Sequence, residues 1–327
     1  MSALSRRLFA SSLLAGLSAV ALLAPAQVQA ADKPKIVVSI AMLGEPVARI
    51  LGDAAEVETL LGPGVDPHLY SPTRSDVAKA VRADDIVLLG LNLEAQMLRS
   101  FERLDSEDRR LHRAGQVIAQ PDLLTDEEGV TDPHLWMDPD LWVQVVSGTI
   151  GALVERHPEL KDTAEPALAD WVAEAESLES QMFEALQTIP QERRVLVTAH
   201  DAFGYFGEHY AFAVEGIQGI STESEAGLRR VSDLVDMLVD LKIPAVFAES
   251  SVSERGLKAL MEGAESRGHT VGLGGTLYSD AMGEPGTVEA TWLGMAAHNA
   301  ATVTTALGGE MPTDGFDWPS KSVGEGE

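Results

Sequence analysis

The chain has 327 residues, no cysteine, 24 basic against 51 acidic side chains and a formal charge of −27. Its length suits two domains and its 45% hydrophobic content is enough to bury ordinary cores. The charge repels phosphate and no Lys/Arg block offsets it, which excludes nucleic acid and argues against anionic membrane surfaces; the lack of cysteine excludes disulfides and thiol redox chemistry.

Residues 1–30 read as a secretory signal: Arg6 and Arg7, then an apolar run from Leu8 to Leu23, then the small-residue exit Val28-Gln29-Ala30. Ser5-Arg6-Arg7-Leu8-Phe9 also resembles a twin-arginine signal. Cleavage after Ala30 removes two basic and no acidic residues, which moves the charge from −27 to −29. No later stretch reaches 18 uninterrupted apolar residues, and no cysteine is present for lipid attachment, so a free periplasmic protein without a membrane anchor is expected.

Further along, short apolar runs have the composition of buried parallel strands: 36–40, 86–89, 195–198 and 245–248. Helical patterns lie between them, at 76–82 and at 225–241, the latter stopped near Pro244. From 163 to 189 the spacing of Trp171, Leu178, Met182 and Leu186, closed by Pro190, predicts one long amphipathic helix. It sits between two stretches of α/β material and suits a stiff strut joining two lobes. The expected organisation is a signal at 1–30, an N-terminal α/β lobe at 31–160, the connecting helix at 161–190, a C-terminal α/β lobe at 191–310 and a loose tail at 311–327.

The chemistry concentrates in a repeated pattern, Asp66-Pro67-His68-Leu69-Tyr70 and Asp132-Pro133-His134-Leu135-Trp136. Proline fixes its own φ and biases its predecessor toward extended backbone, so each histidine stands on a rigid turn, as metal ligation requires. His200 follows the strand 195–198, Glu249 ends the strand 245–248, and Asp280 lies just past the apolar run 271–277. These are carboxyl ends of strands, where open α/β sheets bind ligands. Nitrogen and oxygen donors without thiolate suit Zn²⁺, Mn²⁺ or Fe²⁺. Asp66 and Asp132 are either acceptors that orient the imidazoles or ordinary turn starters before proline. His112, His157, His209, His269 and His298 have ordinary surroundings and are not expected to bind metal. Nucleotide-binding, HExxH and GxSxG patterns are absent, which weakens nucleotide binding and hydrolysis.

The motifs DPHLYSPTRSD (66–76), LLGLNLE (88–94), DPHLWMDP (132–139), VTAHDAFGYFGEHY (197–210), GISTESEAG (219–227), FAESS (247–251) and LYSDAMGEPGT (277–287) resemble the zinc and manganese solute-binding proteins of bacterial ABC importers. The resemblance covers nearly the whole chain after residue 30. It implies an α/β fold of two similar lobes with parallel sheets flanked by helices, joined by one long helix, with a metal ion in the interlobe cleft. It implies His68 and His134 as ligands from the first lobe and His200 and Asp280 from the second, with Glu249 behind them or as an alternative ligand. A membrane permease is the implied partner, the metal is the transported ligand, and the protein is expected to act as a monomer.

Four protein donors would leave no open position for an activated water, which favours a carrier over an enzyme. A secreted zinc metallohydrolase and an adhesin-like surface protein are the alternatives. Metal identity is divided: residues 113–133 lack the His-rich loop frequent in zinc-specific relatives, while His200 stands where manganese-specific relatives often have Glu. Zinc or manganese is expected, with iron third.

Overall fold

A computed structural model describes residues 33–319 apart from 108 and 127. The signal at 1–30 and the last residues of the tail lie outside the described residues.

In chain order the elements are β1 (Lys35–Val38), α1 (Ala41–Leu51), β2 (Glu56–Thr59), α2 (Arg74–Arg82), β3 (Asp85–Leu88), α3 (Ala95–Phe101), β4 (Arg110–Arg113), α4 (Pro139–Arg156), α5 (Lys161–Gln187), β5 (Val195–Thr198), α6 (Gly204–Tyr210), β6 (Ala213–Gly216), α7 (Leu228–Asp240), β7 (Ala245–Glu249), α8 (Arg255–Ser266), β8 (Gly272–Leu277) and α9 (Trp292–Ala306). The first four strands form one parallel sheet in the order β2-β1-β3-β4. In the second half β5 pairs with β6 and β7 with β8, again parallel, and β5 runs beside β7. Every residue of β3, β5 and β7 is buried. That is why these strands read as continuous apolar runs rather than alternating ones.

The expected strands fall within two residues of the observed ones. The run 36–40 ends early because Ser39 and Ile40 turn directly into α1. The long helix runs Lys161–Gln187 and buries Trp171, Leu178, Met182 and Leu186. Its C-terminal carbonyls are met by Arg194, which donates to the Gln187 carbonyl at 2.8 Å and the Ile189 carbonyl at 3.0 Å. The helix expected at 225–241 begins only at Leu228, leaving 225–227 in a loop. The Gly272–Gly275 run serves packing. Gly274 lies against Phe247, where a Cβ would sit 2.6 Å from the ring, and Gly275, at φ 146°, follows a bulge between β7 and β8.

The core is continuous through both lobes and the connecting helix. Trp136 and Trp142 precede or lie in α4, Trp171 is in α5 and Trp292 opens α9. Their rings pack in a chain, edge to face for Trp136–Trp142 and tilted for the others, with centroids 6.1 Å apart for Trp136–Trp142, 6.5 Å for Trp142–Trp292 and 5.6 Å for Trp171–Trp292. The expectation of a loose tail needs correction for its described part. Phe316 and Trp318 are each only 4% exposed and belong to the same core, because two large apolar groups outweigh the polar residues around them. Among the described residues no helix is long and apolar enough to cross a membrane.

Candidate metal centre

Each donor is delivered by a short, tightly bonded turn. At Asp66-Pro67-His68 the Asp66 Oδ1 accepts the His68 backbone N–H at 2.8 Å. Two residues on, the Tyr70 hydroxyl donates to Asp76 at 2.6 Å, and Asp76 completes a capping box with Thr73 at the start of α2. The second copy uses the same turn, with Asp132 Oδ1 accepting the His134 N–H at 2.9 Å. It then leads through a single helical turn to Asp138, which caps α4 by accepting from Asp140 and Leu141. His200 and Asp280 sit just beyond the carboxyl ends of β5 and β8.

These turns bring His68, His134, His200 and Asp280 together, with their candidate donor atoms within 4.8 Å of one another. The Nε2 atoms of His68 and His134 are 3.4 Å apart. His134 Nε2 is 3.3 Å from Asp280 Oδ1, and His200 Nε2 is 3.2 Å from Asp280 Oδ2. His68 Nε2 lies 4.0 Å from Asp280 Oδ2. Donors about 2.0–2.1 Å from a tetrahedral zinc ion stand about 3.3 Å from each other, and the close pairs have that spacing. Asp280 and His200 nevertheless gain no aligned hydrogen bond from this proximity: both Asp280 oxygens and His200 Nε2 are buried polar atoms without a hydrogen-bond partner. Such atoms are costly to leave unsatisfied, and a cation at their centre would satisfy all of them.

The rings are oriented from behind. Asp132 Oδ1 accepts from His134 Nδ1 at 2.7 Å, and Glu249 Oε2 from His200 Nδ1 at 2.5 Å. In each case the Nδ1–H donates outward, so that in the neutral ring the Nε2 lone pair faces the centre. The other Glu249 oxygen accepts the His200 backbone N–H at 2.8 Å, so both carboxylate oxygens are engaged with His200. Glu249 thus stands behind the His200 ring. Asp66 differs from Asp132, since its Oδ2 accepts instead from the Thr222 hydroxyl at 2.6 Å.

The electrostatics follow from burial and these partners. His68, 5% exposed, is held down at a pKa of about 4, chiefly because burial disfavours its cation. Burial acts on His134 in the same direction, yet Asp132 and Asp280 together outweigh it and lift the ring to about 9. In His200 the same contest is won by Glu249 and Asp280, which hold its pKa well above the ordinary value. Asp280 is fully buried, and His200 and His134 hold it ionised well below the usual carboxylate range against that burial.

The remaining histidines have other partners. His112 and His157 both bind the buried carboxylate of Asp85, at 2.7 and 2.6 Å. His269 and His298 reach the carbonyls of Ile243 and Thr276. His209 lies near a second carboxylate group formed by Asp138 and Asp140. Its two nitrogens are taken by Asp138 at 3.2 Å and Glu179 at 3.1 Å, the geometry of an imidazolium held between carboxylates.

Sequence reasoning missed the groups that join the two walls of the site. The Trp136 indole donates to the Ser279 carbonyl at 2.7 Å, and the Tyr205 hydroxyl donates to the Asp132 carbonyl at 2.9 Å while accepting from the Leu124 N–H at 3.1 Å. The only sequence signal was that Trp136 and Tyr205 stand inside the two histidine motifs.

Comparison with known proteins gives one consistent answer. The family model described as ZnuA, zinc-uptake complex component A periplasmic, matches residues 36–306. The chain is 40% identical over 274 residues to the manganese-binding lipoprotein MntA of Bacillus subtilis (strain 168), covering 84% of this chain and 89% of that one. It is 39% identical over 279 residues to the zinc-binding protein TroA of Treponema pallidum (strain Nichols), covering 85% and 90%. The solved structure of that periplasmic zinc-binding protein superposes with a TM-score of 0.82, covering 84% of this chain and 99% of the other. The iron-binding protein YfeA of Yersinia pestis is 30% identical over 279 residues, covering 85% and 88%.

Proposed function

The chain belongs to the family of periplasmic zinc-uptake component A proteins, and from that membership we propose that it captures one divalent transition-metal ion and delivers it to an ABC importer. The relatives carry the names of manganese-, zinc- and iron-binding proteins. For this chain zinc or manganese is the cargo, because three imidazoles and one carboxylate form a borderline donor set without thiolate. His68, His134, His200 and Asp280 are the ligands. The observation that carries this assignment is the buried group of four donors whose close pairs have the spacing of a tetrahedral shell and whose oxygens and His200 nitrogen are otherwise unsatisfied.

The ligands come from two lobes, at 31–160 and 191–310, with the helix at 161–190 between them. Bound metal therefore favours the arrangement in which the lobes are together, and a membrane permease is the partner that reads that arrangement. Four protein donors fill a tetrahedral shell, and Glu249 is engaged with His200 rather than poised as a base; this supports a carrier and not an enzyme. Secretion to the periplasm fits the motifs of residues 1–30, and the 327 residues contain no cysteine.

The test is to strip the mature protein with chelator and titrate it separately with Zn²⁺ and Mn²⁺, following stoichiometry and thermal unfolding. One equivalent bound with a large rise in unfolding temperature is expected. No binding and no rise with any divalent ion would overturn the assignment.

A further inference from the structure

The two copies of the Asp-Pro-His turn differ in what the second carboxylate oxygen does. Asp132 uses one oxygen, Oδ1, for both the His134 backbone N–H and the His134 ring nitrogen. Asp66 Oδ1 fixes the His68 N–H, while Oδ2 crosses the cleft to the Thr222 hydroxyl. Thr222 is 9% exposed and lies in the loop between β6 and α7.

That loop is bound to the turn carrying His200. Gln218 donates to the Ala199 carbonyl at 3.0 Å and Asp201 to the Gly219 carbonyl at 3.3 Å. At Gly216 the fit is close enough that a Cβ would lie 2.4 Å from the Asp201 nitrogen. A continuous path therefore runs from His68 through Asp66, Thr222 and the loop backbone to His200, and none of it passes through a metal. It lies on the least buried side of the site. Of the three histidines only His68 retains measurable exposure, its neighbour Leu69 is 53% exposed, and a cavity of about 170 Å³ lined by Asp66, Leu69, Thr222 and Ser251 opens beside them.

We infer that Thr222 and Asp66 form a latch across the mouth of the site, which holds the His68 turn against the second lobe and sets the rate at which the cargo ion enters and leaves. The inference rests on the metal-capture reading for its consequence, though the latch itself exists without the ion. Thr222 is a positioning residue: it touches no donor atom and acts through Asp66. Opening the mouth breaks a hydrogen bond to a carboxylate, a contact worth enough to change an opening equilibrium by about tenfold or more.

Two readouts test it on the full mature chain with wild type, Thr222→Val and Thr222→Ser. The first is amide hydrogen exchange of the metal-free protein. Thr222→Val should lose protection at residues 66–70 and 219–224 while α5 keeps it, and Thr222→Ser should behave as wild type. The second is stopped-flow release of Zn²⁺ into excess chelator. Release from Thr222→Val should be about tenfold faster at unchanged stoichiometry, with Thr222→Ser near wild type. Equal exchange and release in Val and wild type would overturn the latch, as would a serine variant as fast as valine, since keeping the hydroxyl would then not keep the mouth closed. If wild type takes up no Zn²⁺ or Mn²⁺ yet Val still loosens 66–70, the metal reading has failed and the contact stands only as a structural tie.

Discussion

At the residue scale the same motif yields two jobs. Both prolines hold their histidines on turns closed by the preceding aspartate, but only Asp132 reaches back to its ring nitrogen. Asp132 serves its ring with the same Oδ1 that closes the turn, whereas Asp66 gives its second oxygen to Thr222 in the far lobe. Glu249 has the clearer role, since it fixes the tautomer of His200. Glu249→Gln should retain the fold and lower zinc affinity by about 10–100-fold, measured by competition with a chromogenic chelator. Asp280→Ala should abolish tight binding, because it removes the carboxylate that stands against the Nε2 atoms of both His134 and His200. His298→Ala should leave affinity unchanged, because its ring bonds the Thr276 carbonyl.

Elements are tied by a few buried charges. Asp85, fully buried on β3, accepts from His112 on β4 and His157 after α4, with Arg156 2.9 Å away. Its pKa lies below the ordinary value because those partners outweigh burial. Asp85→Ala strands three donors, and should cost about 3–5 kcal/mol in urea unfolding. His209 ties α6 to the start of α4 and to α5 through Asp138 and Glu179. Burial opposes its charge, but the carboxylates lift its pKa to about 9. A raised pKa stabilises fully below the unfolded value near 6.5 and is lost as pH rises through 9. The alkaline limb of stability should therefore fall by up to about 3 kcal/mol between those values, and His209→Asn should flatten it in unfolding scans. The strand and long-helix positions were legible because buried parallel strands and amphipathic helices carry their own periodicity. The full extents of α1, α4 and α9 were not read; α9 buries nine of its fifteen residues, which leaves little polar face to mark its period.

Across the whole molecule the lobes share a chain of packed tryptophans and a web of bonds around the site. That continuity argues for small relative movement on loading rather than a wide hinge. It also sets how metal binding depends on pH. Ligation needs neutral imidazoles, whereas His134 titrates near 9 and His200 well above its ordinary value in the metal-free protein. Binding near pH 7.5 should release about one proton or more per ion, and affinity should fall about tenfold per pH unit for each proton displaced, beginning well above the range of a free imidazole. Calorimetry of Zn²⁺ binding in buffers of different ionisation enthalpy would count the protons.

The sequence by itself singled out the candidate donors, their placement on proline-fixed turns and strand ends, and the long helix between two α/β lobes, because each is a local pattern of residue type and spacing. Tertiary structure decided what depends on groups remote in sequence. It gave Glu249 to His200 and Asp66 to Thr222, drew Phe316 and Trp318 into the core, and shifted the pKa values of the site histidines. Burial and partner distance govern those outcomes, and neither exists until the chain has folded.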